Sequence, residues 1–436
     1  MLGIAVRTPS WRPPAHRRDG RVFARERSSL SMGKASTETV RATFRPLGAC
    51  AANRAPESMA PSKWRAMRTT QTGSAGASLL RAAVVGTGDI SRQHLAFLAA
   101  SPLARLVGVC DLSPIARRWT AEEYGTTPYS SLDEMLEHAQ PDVVHVLTPP
   151  STHIGLARAA LAAGAHVICE KPITLNADEL VTLLDEAEQL GRVVVENHNY
   201  RFNPEIQRID RLLADDLLGR VGEIEIRIGL PVTDPGGRFG DPNLPSPIHQ
   251  LPAGVIHDFL THMAYLVGHF GPRVTWERVS SIWSKHSAAA HIPVDDLDAV
   301  LAGSGPAGPV HARIRFSALL APDCFEITVR GTNGFVQAEL FSGRVTEIVG
   351  QPGGKQLGPI VNMMRDGVHQ FIGGPRSLKR KVLQQGPYAG LATCLELTYR
   401  ALAAGSPTPV TPEDMLAASR LIDRLVAGRH LEEESA

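Results

Sequence analysis

The stretch that most restricts the fold is Leu80–His94, LRAAVVGTGDISRQH. Its opening run, Ala82-Ala83-Val84-Val85, is short and continuously apolar, as in a strand buried on both faces of a parallel sheet. Gly86-Thr87-Gly88-Asp89-Ile90-Ser91 follows, and a helix is expected over Gln93–Ala100. Glycine at 86 lets the chain turn sharply out of the strand. Glycine at 88 removes a Cβ, so a pyrophosphate can approach the N–H groups at the helix N-terminus. Ser91 holds the third position of this fingerprint, where Gly or Ala is usual, and is still small enough for close helix–strand packing.

A second apolar run, Leu106–Cys110, ends at Asp111. Asp111 lies about 20 residues beyond the glycines, the spacing of an acid that hydrogen-bonds a ribose 2′-OH. Strand, glycine turn, helix, strand and acid in register point to a bound dinucleotide, with Gly86, Thr87, Gly88, Asp89, Ile90 and Asp111 as its expected contacts. A carboxylate at 111 repels a 2′-phosphate, which favours NAD. Arg117 and Arg118 keep NADP as the second reading.

Strands and helices then alternate. Helices are expected at Pro114–Tyr124, near Ser131–His138, at Ile154–Ala163 and at Asn176–Leu190, and strands at Pro141–Leu147, Ala165–Cys169 and Arg192–Val195. Such alternation argues an α/β, doubly wound parallel sheet of the Rossmann type, with ligands beyond the carboxyl ends of the strands. Gly86, Asp111, Thr148, Lys171 and Asn197 all fall there.

The chain after this is different. A linking helix is expected over Glu205–Leu218. Gly222–Ile228 alternates like a half-exposed strand, and the proline-rich segment Pro231–Pro252 reads as a long loop near the site. Within the next helical stretch Asp258 and His262 stand at i and i+4, so they share a face and a carboxylate lies within reach of an imidazole. Further strands are expected at Val274–Ser284, Ala299–Ala302, Val310–Phe316, Phe325–Arg330, Phe335–Leu340 and Val345–Val349, with a hairpin turn at Gly331-Thr332-Asn333-Gly334. They describe a second, α+β domain built on a large, mostly antiparallel sheet. Helices at Gly390–Ala403 and Pro412–Ala427 close it, the second opening with Thr411 as cap and Pro412 in the first position.

The runs GTGDISRQH, VLTPPSTH, AALAAGAHVICEKP and YRFNP together resemble the Gfo/Idh/MocA oxidoreductase family, over residues 80 to about 430. The resemblance implies an NAD(P)-dependent oxidoreductase acting on CH–OH donors: a secondary alcohol, or the matching carbonyl, of a sugar, polyol or cyclitol. It adds Thr148, Pro149, His153, Glu170 and Lys171 to the cofactor contacts. It makes Lys171, Asp258 and His262 catalytic, His262 as base and Lys171 polarising the substrate oxygen. It implies a homo-oligomer joined through the second sheet. Two other readings remain: NAD-dependent glycoside hydrolysis, and a non-catalytic sugar- or nucleotide-sensing regulator.

Charge divides the chain. Residues 1–80 hold 14 Lys and Arg against 4 Asp and Glu, and the rest 31 against 40. Residues 1–78, rich in Arg, Ser, Ala and Pro, read as a disordered basic tail, either upstream of a true start at Met59 or Met67 or an organelle transit peptide. Residues 79–205 read as the dinucleotide-binding domain and 206–430 as the substrate and oligomerisation domain. The acidic body fits a cytoplasmic enzyme without nucleic-acid partners. Its five scattered cysteines form no CxxC pair, so neither a disulfide framework nor a metal site is expected. No apolar run reaches the ~18 residues of a membrane span.

Overall fold

The computed structural model describes residues 79–233, 239–241, 246–289, 291–382 and 388–433. The basic tail and part of the Pro231–Pro252 loop lie outside them. None of the described helices is long and apolar enough to cross a membrane.

The first sheet has six parallel strands: β1 (Leu80–Val85), β2 (Ala104–Cys110), β3 (Pro128–Tyr129), β4 (Val143–Val146), β5 (His166–Cys169) and β6 (Val194–Glu196). Their spatial order is β3-β2-β1-β4-β5-β6. The order reverses between β1 and β4, which opens a crevice beyond their carboxyl ends. β1 is sealed from Ala82 to Val85, as its uninterrupted apolar run requires.

The connecting helices are α1 (Ser91–Ala100), α2 (Pro114–Tyr124), α3 (Leu132–Ala139), α4 (His153–Ala162) and α5 (Ala177–Gln189). Local chemistry fixes their ends. Ser113, Ser131 and Asn176 accept hydrogen bonds from Ala116, Glu134 and Glu179 N–H as N-caps. Gly125 stops α2 in the left-handed conformation. Helix α1 starts two residues earlier than its sequence reads, at Ser91, because the Ser91 hydroxyl bonds back to the Gly88 carbonyl at 2.6 Å.

After α6 (Pro204–Ala214) comes β7 (Val221–Gly229), then α7 (Gly254–Phe270) and six further strands: β8 (Thr275–Ser284), β9 (Asp296–Gly305), β10 (Gly308–Ser317), β11 (Cys324–Gly331), β12 (Gly334–Glu339) and β13 (Arg344–Val349). They form one sheet in the order β13-β12-β11-β7-β10-β9-β8. Only the β7–β10 pair is parallel. The expected Gly331–Gly334 hairpin joins β11 to β12. Ile224, Ile226, Leu301, Ile314 and Phe316 of the sheet share a core with Ile256, Leu260, Met263 and Leu266 of α7. Thirteen of the seventeen residues of α7 are buried, so its polar side chains need partners inside the protein or a ligand.

Three helices follow: α8 (Gly354–Val382), which the sequence reading omits, α9 (Ala389–Ala404) and α10 (Pro412–Glu433). The last two do not stay with the second sheet. Leu391, Leu395 and Tyr399 pack under the first one, and α10 gives Met415 to one core and Leu421 and Leu425 to the other. Helix α10 starts with a reciprocal cap: Asp414 N–H donates to the Thr411 hydroxyl, and Thr411 N–H donates to the Asp414 carboxylate.

Candidate active site

Strand register assembles one side of the site. Val85 pairs with Cys110 on one side and with Val146 on the other. Val146 pairs with Cys169, and Cys169 with Glu196. The residues that follow these positions therefore emerge along one edge: Asp111, Gly86, the Leu147–Thr148 segment, the Glu170–Lys171 pair and Asn197.

At the glycine turn, Gly86 has φ +91°, and a Cβ there would stand 2.7 Å from the Leu147 carbonyl oxygen. The position excludes any other residue, for conformation and for space. A Cβ on Gly88 would meet nothing within 4 Å. That open space lies against the N-terminus of α1, which has no side-chain cap. Asp111 is held from the turn: its Oδ2 accepts from the Thr87 N–H at 2.8 Å and hydroxyl at 2.9 Å, and its Oδ1 from Ser113 N–H at 2.8 Å. Thr87 thus orients the acid. Arg117, the cation read as favouring a 2′-phosphate, instead donates to the Asp111 and Leu112 carbonyls.

The β4 turn is tied internally. The Thr148 and Thr152 hydroxyls hydrogen-bond at 2.7 Å, and Pro149 accepts from the Thr152 hydroxyl. His153, expected among the cofactor contacts, is fully buried with its ring nitrogens 2.6 Å from the Thr148 carbonyl and 2.8 Å from that of Pro172. It joins the β4 turn to the Glu170–Pro172 turn.

Glu170 ends a buried chain that motif reading missed. Tyr399 lies 2.8 Å from His145 Nε2, His145 Nδ1 2.8 Å from His94 Nδ1, and His94 Nε2 3.2 Å from the Glu170 carboxylate. Asn197 donates to the same carboxylate oxygen at 2.5 Å. Burial pushes the Glu170 carboxyl up, but the bonds from His94 and Asn197 outweigh it and hold it below the usual range. A carboxylate can only accept, so His94 donates to Glu170; with a neutral His94 ring, His145 then donates to His94 and Tyr399 to His145. No spacing rule joins residues 94, 145 and 399. Only the fold does.

Helix α7 supplies the other side. Lys171 Nζ donates to Asp258 Oδ1 at 2.7 Å and to the Asp258 carbonyl at 2.9 Å. The i,i+4 spacing reads as Asp258 beside His262. The structure corrects this: the carboxylate turns to Lys171, and His262 Nδ1 lies 2.9 Å from the Tyr265 hydroxyl. An ammonium across the cleft outcompetes a neutral ring for the carboxylate. His262 is 6 % exposed and meets Tyr200 edge-on, with ring centroids 4.6 Å apart. Burial, then the charges of Lys171 and His198, push His262 well below the ordinary imidazole value.

His257, given no role by the sequence, is 1 % exposed, and both its ring nitrogens are buried without a partner among the described residues. Burial lowers it from 6.5 to about 4. The unfolded chain therefore binds more protons than the fold between these values, and stability falls as pH drops from about 6.5 towards 4, by up to about 3 kcal/mol from this residue. Denaturant melts across that window are expected to show the fall, with a shallower slope in His257→Phe. Equal slopes contradict the assignment.

Comparison with known proteins agrees with this geometry. Residues 80–198 match the family described as an oxidoreductase family with an NAD-binding Rossmann fold, GFO_IDH_MocA. Over those residues the chain is similar to that family. The matched residues run from β1 to just beyond β6, so they hold the whole strand edge, Lys171 included. Among curated relatives, a D-glucoside 3-dehydrogenase of Escherichia coli is 29 % identical over 188 residues, 41 % of this chain and 54 % of that one. An inositol 2-dehydrogenase of Rhizobium meliloti is 31 % identical over 147 residues, 34 % of this chain and 43 % of that one. The chain thus spans about half the length of these relatives.

Solved structures extend the likeness in fold to the second sheet. The WlbA dehydrogenase of Bordetella pertussis, in complex with NADH and UDP-GlcNAcA, superposes with a TM-score of 0.61 at 18 % identity, covering 81 % of this chain and 96 % of that one. A myo-inositol dehydrogenase of Corynebacterium glutamicum does so with 0.61 at 19 %, covering 80 % and 96 %. NAD is the cofactor class of the family's Rossmann domain.

Proposed function

We propose that the chain is an NAD-dependent oxidoreductase acting on a secondary alcohol, or the matching carbonyl, of a sugar, polyol or cyclitol. The observation that carries the reading is the Lys171–Asp258 pair: the lysine leaves the strand edge that holds the glycine turn and is met by the polar face of a buried helix. The residues present fit the cofactor. The open space at Gly88 and the uncapped start of α1 suit a pyrophosphate, Asp111 suits a ribose diol, and the Oδ1 of Asn197, buried and without a partner among the described residues, offers an acceptor at the same edge. Bound NAD supplies the acceptor, or NADH the donor, of a hydride.

The protein's own groups handle the oxygen. An ammonium has three N–H donors, and two of those of Lys171 are engaged with Asp258, which leaves one for a substrate oxygen. The names of the relatives, a glucoside and an inositol dehydrogenase, support the substrate class. The test is a panel of sugars and cyclitols assayed for NADH formation, with p-nitrophenyl glycosides alongside. Glycoside cleavage without net NADH formation favours the hydrolytic reading, and NAD binding with neither activity favours a sensor.

Asp111 sets the cofactor in this reading. Asp111→Ser is expected to weaken NAD binding and strengthen NADP binding, since it removes both the ribose acceptor and the charge that repels a 2′-phosphate. Titration calorimetry with the two cofactors checks it, and a parent protein that already prefers NADP contradicts it. The reading also includes self-association through the second sheet, whose outer face exposes Ile282 at 61 % and Val300 at 53 %. Sedimentation of the parent and of Val300→Glu tests that part.

A further inference from the structure

We infer that Tyr265 fixes His262 in the tautomer carrying its proton on Nε2, so that His262 offers the substrate a hydrogen-bond donor and not a base. The substrate half of this rests on the proposed function; the tautomer does not.

Donors and acceptors around Tyr265 decide the tautomer. The Tyr200 main-chain N–H can only donate, and it reaches the Tyr265 oxygen at 3.2 Å. Tyr265 is 3 % exposed, so its own hydroxyl proton needs an acceptor within the protein, and His262 Nδ1 at 2.9 Å is the one in reach among the described residues. If His262 carried its proton on Nδ1 instead, the Tyr265 oxygen would accept twice and its own proton would be buried with nothing to bind. Such an orphaned donor keeps the full cost of its desolvation. The phenol cannot escape by ionising, because burial and the neighbouring Tyr200 push it well above its usual value. The ring cannot escape by taking a second proton, because burial, Lys171 and His198 hold it neutral.

His262 therefore accepts from Tyr265 at Nδ1 and carries hydrogen at Nε2. Nε2 makes no hydrogen bond among the described residues and, unlike the nitrogens of His257, is not sealed from solvent. A protonated Nε2 cannot take the proton of an alcohol. It can hydrogen-bond the oxygen and hold it. The sequence reading, which makes His262 the base, needs the other tautomer.

Lys171, whose charge Asp258 balances 2.7 Å away, meets the same oxygen as a second donor. Tyr265 acts only through His262 and is a positioning residue.

Protein labelled with ¹⁵N-histidine tests the tautomer without substrate. Long-range ¹H–¹⁵N correlation at neutral pH is expected to show one ring, identified by its loss in His262→Gln, with bare Nδ1 and protonated Nε2. In Tyr265→Phe that ring should move toward a mixture of tautomers. A protonated Nδ1 in the parent protein overturns the inference. The second arm reads kcat/KM against pH on a substrate found in the panel. His262→Gln is expected to lower the rate yet keep the parent's acidic limb; loss of that limb makes His262 the base and overturns the inference. A chain that turns over nothing but shows bare Nδ1 sinks the enzymatic reading while upholding the role of Tyr265.

Discussion

Lys171→Ala is expected to bind NAD nearly as the parent does while losing about 10²–10³ in turnover, the range for a donor that stabilises charge on the reacting oxygen. Binding survives because the glycine turn, the start of α1 and the Thr87–Asp111 unit lie on other strands and make no bond to the lysine. Truncation also leaves Asp258 without its cation. The two side chains are 12 % and 17 % exposed, so the loss is felt in stability too. Lys171→Ala with Asp258→Asn separates the effects: the melting temperature recovers and turnover does not. Activity per folded molecule that returns to the parent level in the double variant would make the pair a structural tie.

A large effect on the fold is expected at Gly390. Its Cβ position collides with the Asn199 carbonyl oxygen and lies 2.7 Å from the Asn203 main-chain nitrogen, and its own N–H donates to Asn203 Oδ1 at 2.8 Å. Neither main-chain neighbour can move without shifting the turn that carries Tyr200. Gly390→Ala should therefore cost about 1–3 kcal/mol in overpacking, with α9 displaced from that turn. It should also blunt catalysis, since Tyr200 touches His262. Thermal melts and turnover together check it. A variant as stable and as active as the parent would mean that α9 docks more loosely than the structure has it.

Most of the strand edge was legible in the sequence, because each part of it is local. The apolar runs have the composition of parallel strands, and glycines at 86 and 88 and a carboxylate at 111 each follow a strand end directly. Lys171 was legible through the EKP motif. Side-chain partnership was less so. Asp258 and His262 share a helix face as read, yet each takes its partner from elsewhere: Asp258 from a strand edge 87 residues away in sequence, His262 from Tyr265 on its own helix. The chain from Glu170 to Tyr399 spans four separate elements and carries no spacing signal. Helix α8 escaped for another reason. Gly358, Pro359 and Gly367 sit inside it, residues with the poorest helix propensities, and its contact with β13 overrides them.

One measurement bears most directly on the central claim that the glycine turn, Lys171 and the α7 face form a hydride-transfer site for a sugar-like alcohol. NADH formation is followed over the panel of sugars and cyclitols with the full chain, beside Lys171→Ala at a matched folded fraction. The account predicts turnover on at least one member with NAD and its near abolition in the variant. NAD binding together with equal turnover by the parent and Lys171→Ala would contradict it.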